Sequence, residues 1–307
     1  MTYSQGGVVQ AADYNGLVSG TNQLNTVWGV GTGDAGYGQT PVSTTVAAGG
    51  ATAATEWTTL INTVNSVARH QTNNGTNLGA RTAGSVIAAT GLAGNINTFY
   101  TNRNTFGTQG TTLTGTVFTN SATAATGVAY GESTVLFRYV TFSSGDAARY
   151  FFNCGGQLNF IVTNVTNNDA TARSTDARTL ILTNLASVSA FRNGSNAGPG
   201  GTGGTLNINT TAFGYNNLTT SWTNTVQITS TTAPYTTDYV KAFFISNTQN
   251  SSGHGDKGSQ VGFAINLYSP AHSAFNGSLN ITVSTRVDVV YPETTYLTNV
   301  WGTPTIT

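Results

Sequence analysis

The segment EWTTLINTVNSVARH carries apolar side chains at Trp57, Leu60, Ile61, Val64, Val67 and Ala68, a three-and-four spacing that lines one face of a helix. Glu56 in its first turn and Arg69 and His70 in its last complement the helix dipole, and Asn73 to Gly75 stop it. An earlier helix is predicted from an N-cap at Asp13, with Tyr14, Leu17, Val18, Leu24 and Trp28 inward and Gly29 at its end. A third runs through Leu92, Ile96, Phe99 and Tyr100.

From about Gly107 the period falls to two. In LNITVSTRVDV, Leu279, Ile281, Val283, Thr285, Val287 and Val289 face one way and the polar residues the other, the signature of a half-buried strand. The same alternation gives strands with Val261, Phe263, Ile265 and Leu267 inward, with Val135, Phe137 and Tyr139 inward, and with Leu158, Phe160 and Val162 inward. Shorter strands are expected at 180–182, 226–228 and 240–245. Glycines Gly155 and Gly156 fit a hairpin turn between ARYFF and QLNFIV, with Cys154 as a small buried hydrophobe. The fold expected is α+β: a small N-terminal helical region over 1–106, then an antiparallel β-sandwich of jelly-roll or immunoglobulin-like kind over 107–307.

Composition changes the picture through charge. Only 7% of the 307 residues are Asp, Glu, Lys or Arg, against about 25% in an average soluble domain. The surface is therefore neutral and polar, rich in Thr, Asn, Ser and Gly, and suited to life outside a cell. Net charge is zero and the lysines are Lys241 and Lys257 alone, so no basic stripe exists to neutralise phosphates, which argues against nucleic-acid binding. Apolar runs are too short for a membrane span, and MTYSQGGVVQAAD has neither the basic start nor the apolar core of a signal peptide. A single cysteine excludes an internal disulfide. An outside-type surface on a chain without secretion signal or disulfides fits a protein made in a cytoplasm and released by lysis.

Five glycines crowd WGVGTGDAGYGQT, Trp28 to Thr40. A dinucleotide fingerprint follows a strand and opens a helix, and a P-loop ends in Lys-Ser/Thr. Here the glycines follow a helix and PVSTTV comes next, so the stretch is expected to be a tight loop joining two helices, with no cofactor.

The order YSQGGVVQAADYNGLV, VWGVGTGDAGYGQ, VAAGGATAATEWTTLINTVNSVARHQ and ARYFFNCGGQLNF resembles tail-associated virion structural proteins of tailed phages, especially those of cyanobacteria and other marine bacteria. The likeness spans the helical third and reaches about Phe160, with a looser likeness in the closing strands. It implies a component of a tail, fibre or baseplate, assembled in the host cytoplasm with other virion proteins and with copies of itself. Trimerisation is implied by analogy with fibres. Under that resemblance the helix face of Trp57, Leu60, Ile61 and Val64 is the expected assembly face.

Candidate chemistry is sparse. Cys154 has no histidine near it in sequence, since His70, His254 and His272 are all remote. The loop SGHGDKG sets His254, Asp256 and Lys257 together as a candidate glycan or receptor contact. One histidine and one carboxylate are too few for a metal site within one subunit, although a three-fold axis would triplicate them. Glycoside hydrolysis needs two flanking carboxylates, and Glu132, Asp146, Asp169, Asp176 and Asp238 offer no recognisable pair. In AFGYNNLTTSW, Phe213, Tyr215 and Trp222 sit in a polar context where rings could stack on a pyranose, or else pack in the core. The leading expectation is a non-enzymatic phage-tail structural protein used in assembly and host attachment. A carbohydrate-binding receptor module, a capsid decoration protein and an envelope-degrading enzyme stay open.

Overall fold

The computed structural model describes the chain outside residues 1–10, 20–22, 32–35, 43–45, 51, 77, 80–81, 83–84, 86–88, 191–194, 198–202, 212–213, 249–257 and 272–276. It divides into two compact units. The first comprises residues 1–111, 149–155 and 291–301, and the second comprises 112–148, 156–290 and 302–307.

The first unit is built on four helices: α1 (Ala11–Val18), α2 (Leu24–Trp28), α3 (Ala54–Thr72) and α4 (Ala89–Thr101). At the head of α3 the Glu56 carboxylate accepts the Ala53 amide at 2.7 Å, and at its foot Asn73 takes the left-handed conformation that ends a helix. The α3 face of Trp57, Leu60, Ile61 and Val64 is buried within this unit, Leu60 and Val64 completely. It packs against α2 and α4, and Trp57 meets Tyr14 of α1 edge-to-face at 5.1 Å. The expected assembly face is thus core: short amphipathic helices find their cover in one another.

The glycine stretch folds back on α2. The Tyr37, Gly38 and Gln39 amides donate to the Val27, Gly29 and Trp28 carbonyls, which leaves none of these three for a phosphate. Gly38 holds φ +73°, and a Cβ there would run into the Tyr150 ring. Tyr37 is fully buried, donating to the Arg103 carbonyl at 3.0 Å and accepting from Gln71 at 2.9 Å. Gln71 also donates to the Phe99 carbonyl, so α3, α4 and the loop share one hydrogen-bonded knot.

The rest of the chain is mainly antiparallel strand: β1 (Gln109–Leu113), β2 (Phe118–Ala124), β3 (Tyr130–Thr141), β4 (Gln157–Asn167), β5 (Ser187–Ala190), β6 (Ser195–Ala197), β7 (Gly204–Asn209), β8 (Thr223–Ser230), β9 (Tyr239–Ser246), β10 (Gln260–Ser269), β11 (Leu279–Pro292) and β12 (Thr305–Ile306). Helix α5 (Gly145–Asn153) lies between β3 and β4, and α6 (Ala172–Arg178) between β4 and β5. One sheet has the order β1-β11-β4-β5-β6 with β2 also on β11, and the other β12-β3-β10-β9-β8-β7. In the second unit the inner faces share a core, where Phe160 of β4 stacks on Phe263 of β10 at 4.4 Å and meets Phe244 of β9 at 5.6 Å. The alternation in β11 is as expected from Leu279 to Val287, after which Asp288, Val289 and Val290 are all buried.

Four local expectations are corrected. The helix expected from an N-cap at Asp13 through Trp28 is two separate helices, α1 and α2, and Asp13 lies within the first turn of α1. The ARYFF segment is the second half of α5, not a strand, so Cys154 follows a helix; its buried Sγ lies 3.8 Å from the Tyr37 carbonyl. Residues 180–182 belong to a π-helical segment, Thr179–Leu185, where Leu180, Ile181 and Leu185 are buried at the wider spacing of that helix. In β3 the faces are exchanged: Leu136 and Val140 point to the core, and Phe137 and Tyr139 point away from it. Between Ile265 and Asn266 of β10 the partner jumps from Leu136 to Thr134, a bulge at Val135 that buries one residue and resets the alternation.

An aromatic trough on the outer face of a sheet

The corrected register of β3 builds the candidate site. On β10, the inward side chains Val261, Phe263, Ile265 and Leu267 are large and buried, whereas the outward ones begin Gly262, Ala264, Asn266. Small outward residues on a central strand leave a channel between the taller residues of its neighbours. Ala264 pairs with Phe137 on β3 and with Phe243 on β9, so two rings flank it from strands about 10 Å apart. At one end the channel closes, because Gly262 lies under Tyr139 and Ile245, whose side chains occupy the space a Cβ would need. Trp222, at the entry to β8, reaches over from the side, 6.3 Å from the Tyr139 ring. The resulting trough has a volume of about 310 Å³ and is lined by Phe137, Tyr139, Trp222, Phe243 and Ala264 with Thr134 and Asn266. Trp222 is 40% exposed and Phe137 51%, unusual for large rings and the mark of an open face.

The other end is polar. The Thr134 hydroxyl donates to Asn266 Oδ1 at 2.9 Å, orienting the amide. Next to them Glu132 Oε2 accepts from Lys241 Nζ and from the Tyr239 hydroxyl, both at 2.8 Å, and Tyr239 stacks on Tyr268 at 4.7 Å. Partial burial would raise the Glu132 carboxyl, but the hydrogen bonds from Lys241, Tyr239 and Asn266 outweigh it and hold it below the usual carboxylate range. Burial and the bond to Glu132 push the Tyr239 phenol up to about 12. At neutral pH the cluster is a closed ion pair with an un-ionised phenol beside it, with little net charge. None of the lining residues is acidic, so the trough lacks the carboxylate pair that glycoside cleavage uses.

The remaining sequence candidates fall elsewhere. Tyr215 is fully buried and donates to the Gly258 carbonyl at 2.9 Å, so its ring has no face for a sugar and it leaves the candidate list. His254, Asp256, Lys257 and Phe213 lie outside the described residues. His70 is buried in the first unit, with Nδ1 at 3.2 Å from Glu293 Oε1. Among the described residues no three His, Cys, Asp or Glu side chains gather to hold a metal ion, and no helix is long and apolar enough to cross a membrane.

Two acids that stand far apart in sequence both lie near Tyr235. Asp176 and Asp238 are buried near Arg173, itself 2% exposed, with Asp176 accepting from the Ser230 hydroxyl at 2.7 Å. Arg173 donates to the Ser269 hydroxyl and carbonyl and to the Val128 carbonyl at 2.8–3.0 Å. This group ties α6 to the ends of strands and buries an arginine and two carboxylates together. Of the lining, sequence reasoning found Trp222 and missed Thr134, Phe137, Tyr139, Phe243, Ala264 and Asn266; the signal for the flanking rings was the run of small residues between them on β10. No protein-family model, curated protein or solved structure matches this chain.

Proposed function

We propose that the protein is a non-enzymatic structural component of a phage tail, of fibre, baseplate or adaptor type, that assembles with other virion proteins and copies of itself and contacts the host surface. The observation that carries the contact role is the outward trough flanked by Phe137 and Phe243 and roofed by Trp222, a binding surface whose lining holds no acid or base. The order of motifs through the helical third and the scarcity of charge support the virion assignment. In this reading the two sheets form a β-sandwich of jelly-roll or immunoglobulin-like kind, and the protein resides in the particle after assembly in the host cytoplasm and release by lysis.

Cryo-electron microscopy of intact particles tests it. Density for this chain in the tail, fibre or baseplate is expected, with the trough facing outward. Density on the capsid lattice would keep a structural role and overturn the tail position; particles without the protein would overturn the virion assignment. A second reading, a carbohydrate-binding module that acts apart from any particle, is favoured by the same trough and would then lead.

A further inference from the structure

We propose that the trough over Ala264 is a binding site for a neutral pyranose ring of a surface glycan. The proposal rests on the host-contact half of the reading above and names its ligand. Four features select this ligand class over others.

The first is shape: about 310 Å³ lies at the small end of ligand pockets and suits one or two sugar rings better than a protein segment. The second is the alternation of surfaces. A pyranose has a C–H face and a rim of hydroxyls; Phe137, Phe243 and Trp222 offer rings for the face, and Asn266, fixed by Thr134, offers an amide for the rim. The third is charge. Lys241 is the cation at the polar end and is already paired with Glu132 at 2.8 Å, so a sulfate, sialate or uronate would compete with an existing carboxylate. The fourth is that the trough lies mid-sheet. Strands β3, β10 and β9 are paired with one another along the floor, so their backbone is spent and a peptide cannot add as a further strand there.

The test uses the full chain on an array holding neutral and acidic oligosaccharides, followed by titration calorimetry with the neutral ones bound. Expected is binding to neutral hexose glycans, weak for one site and strengthened by many copies on a surface. Trp222→Ala is expected to weaken it about tenfold or more, the loss of one stacked ring. Ala264→Leu, which fills the floor and removes no ring, is expected to abolish it. Leu206→Ala, an exposed apolar residue on β7 away from the trough, is expected to leave affinity unchanged. Thermal melting confirms that each variant folds.

Binding confined to acidic glycans, no glycan bound at all, or full affinity in the Ala264→Leu variant would each overturn the proposal. So would self-association of the wild-type chain that Trp222→Ala removes, since the trough would then be covered by a second copy. Failure here leaves the virion assignment intact, and absence from particles leaves a glycan result intact.

Discussion

Phe137 and Phe243 face each other across Ala264, each its register partner on a flanking strand, although they lie more than a hundred residues apart in the chain. That opposition exists only because the bulge at Val135 turns Phe137 outward. Adjacent positions on β3 should therefore respond in opposite ways. Leu136→Ala removes a fully buried side chain and is expected to cost about 2–5 kcal/mol, whereas Phe137→Ala is expected to change stability by about 0.5 kcal/mol. Urea unfolding of both variants checks this, and a larger loss for Phe137→Ala than for Leu136→Ala would mean that the strand faces are as alternation alone suggested.

Burial of the α3 face leads to a second expectation. Leu60→Ala is expected to destabilise the first unit by about 2–5 kcal/mol while leaving the oligomeric state of the folded chain as it was. Sedimentation at matched concentrations separates the outcomes; a variant that stays stable but dissociates would return this face to an assembly role.

Glu293 links the first unit to pH. Burial raises its carboxyl, yet the hydrogen bond from His70 and those from the Tyr296 and Thr295 amides prevail and hold it below its ordinary 4.5. A value lower in the folded than the unfolded state gives stabilisation that is complete above the unfolded value and is lost as pH falls through the folded one. Melting temperature should therefore be level near neutrality and drop in acid. Glu293→Gln should be less stable at pH 7 and lose less on acidification, and parallel curves for the two proteins would refute the linkage.

Arg173 is buried with its donors spent on Ser269 and Val128 and with Asp176 and Asp238 nearby. Arg173→Ala strands buried acceptors and charge together, so a loss of about 3–5 kcal/mol is expected. Chemical denaturation followed by Tyr and Trp fluorescence would show it, and a loss below about 1 kcal/mol would mean that the acids relax without the arginine.

Gly38 combines a positive φ with a ring at its back. Gly38→Ala is expected to lower stability by about 1–3 kcal/mol through backbone strain, before any displacement of Tyr150. A melting curve indistinguishable from wild type would show that the loop is free to rearrange.

The strands of strictest alternation, β10 and β11, could be read from sequence because one face is apolar and the other is not. In TVLFRYVTF both faces carry apolar residues, so period two finds the strand but cannot choose its inner side, and the inward Arg138, lying over the Phe118 ring at 4.1 Å, points the intuition the wrong way. The aromatic density of ARYFF imitates a strand, yet Ser144 caps the Ala147 amide at 3.0 Å and Asp146 sits in the first turn, ordinary helix-start signals. Residues 180–182 mislead for the same reason: a short aliphatic run is equally a strand or a buried helical turn. The trough needed three strands in register, which is tertiary information that no single window holds.

The first unit draws its backbone from residues 1–111, 149–155 and 291–301. Its last segment supplies Glu293 to His70, the Thr298 carbonyl and amide to Gln39, and the buried Trp301. During synthesis, then, helices α1 to α4 leave the ribosome long before the partners of their buried polar groups exist, an interval of roughly ten to forty seconds at ordinary elongation rates. The part of the protein made first is completed last. A fragment cut after its helices would lack those partners permanently.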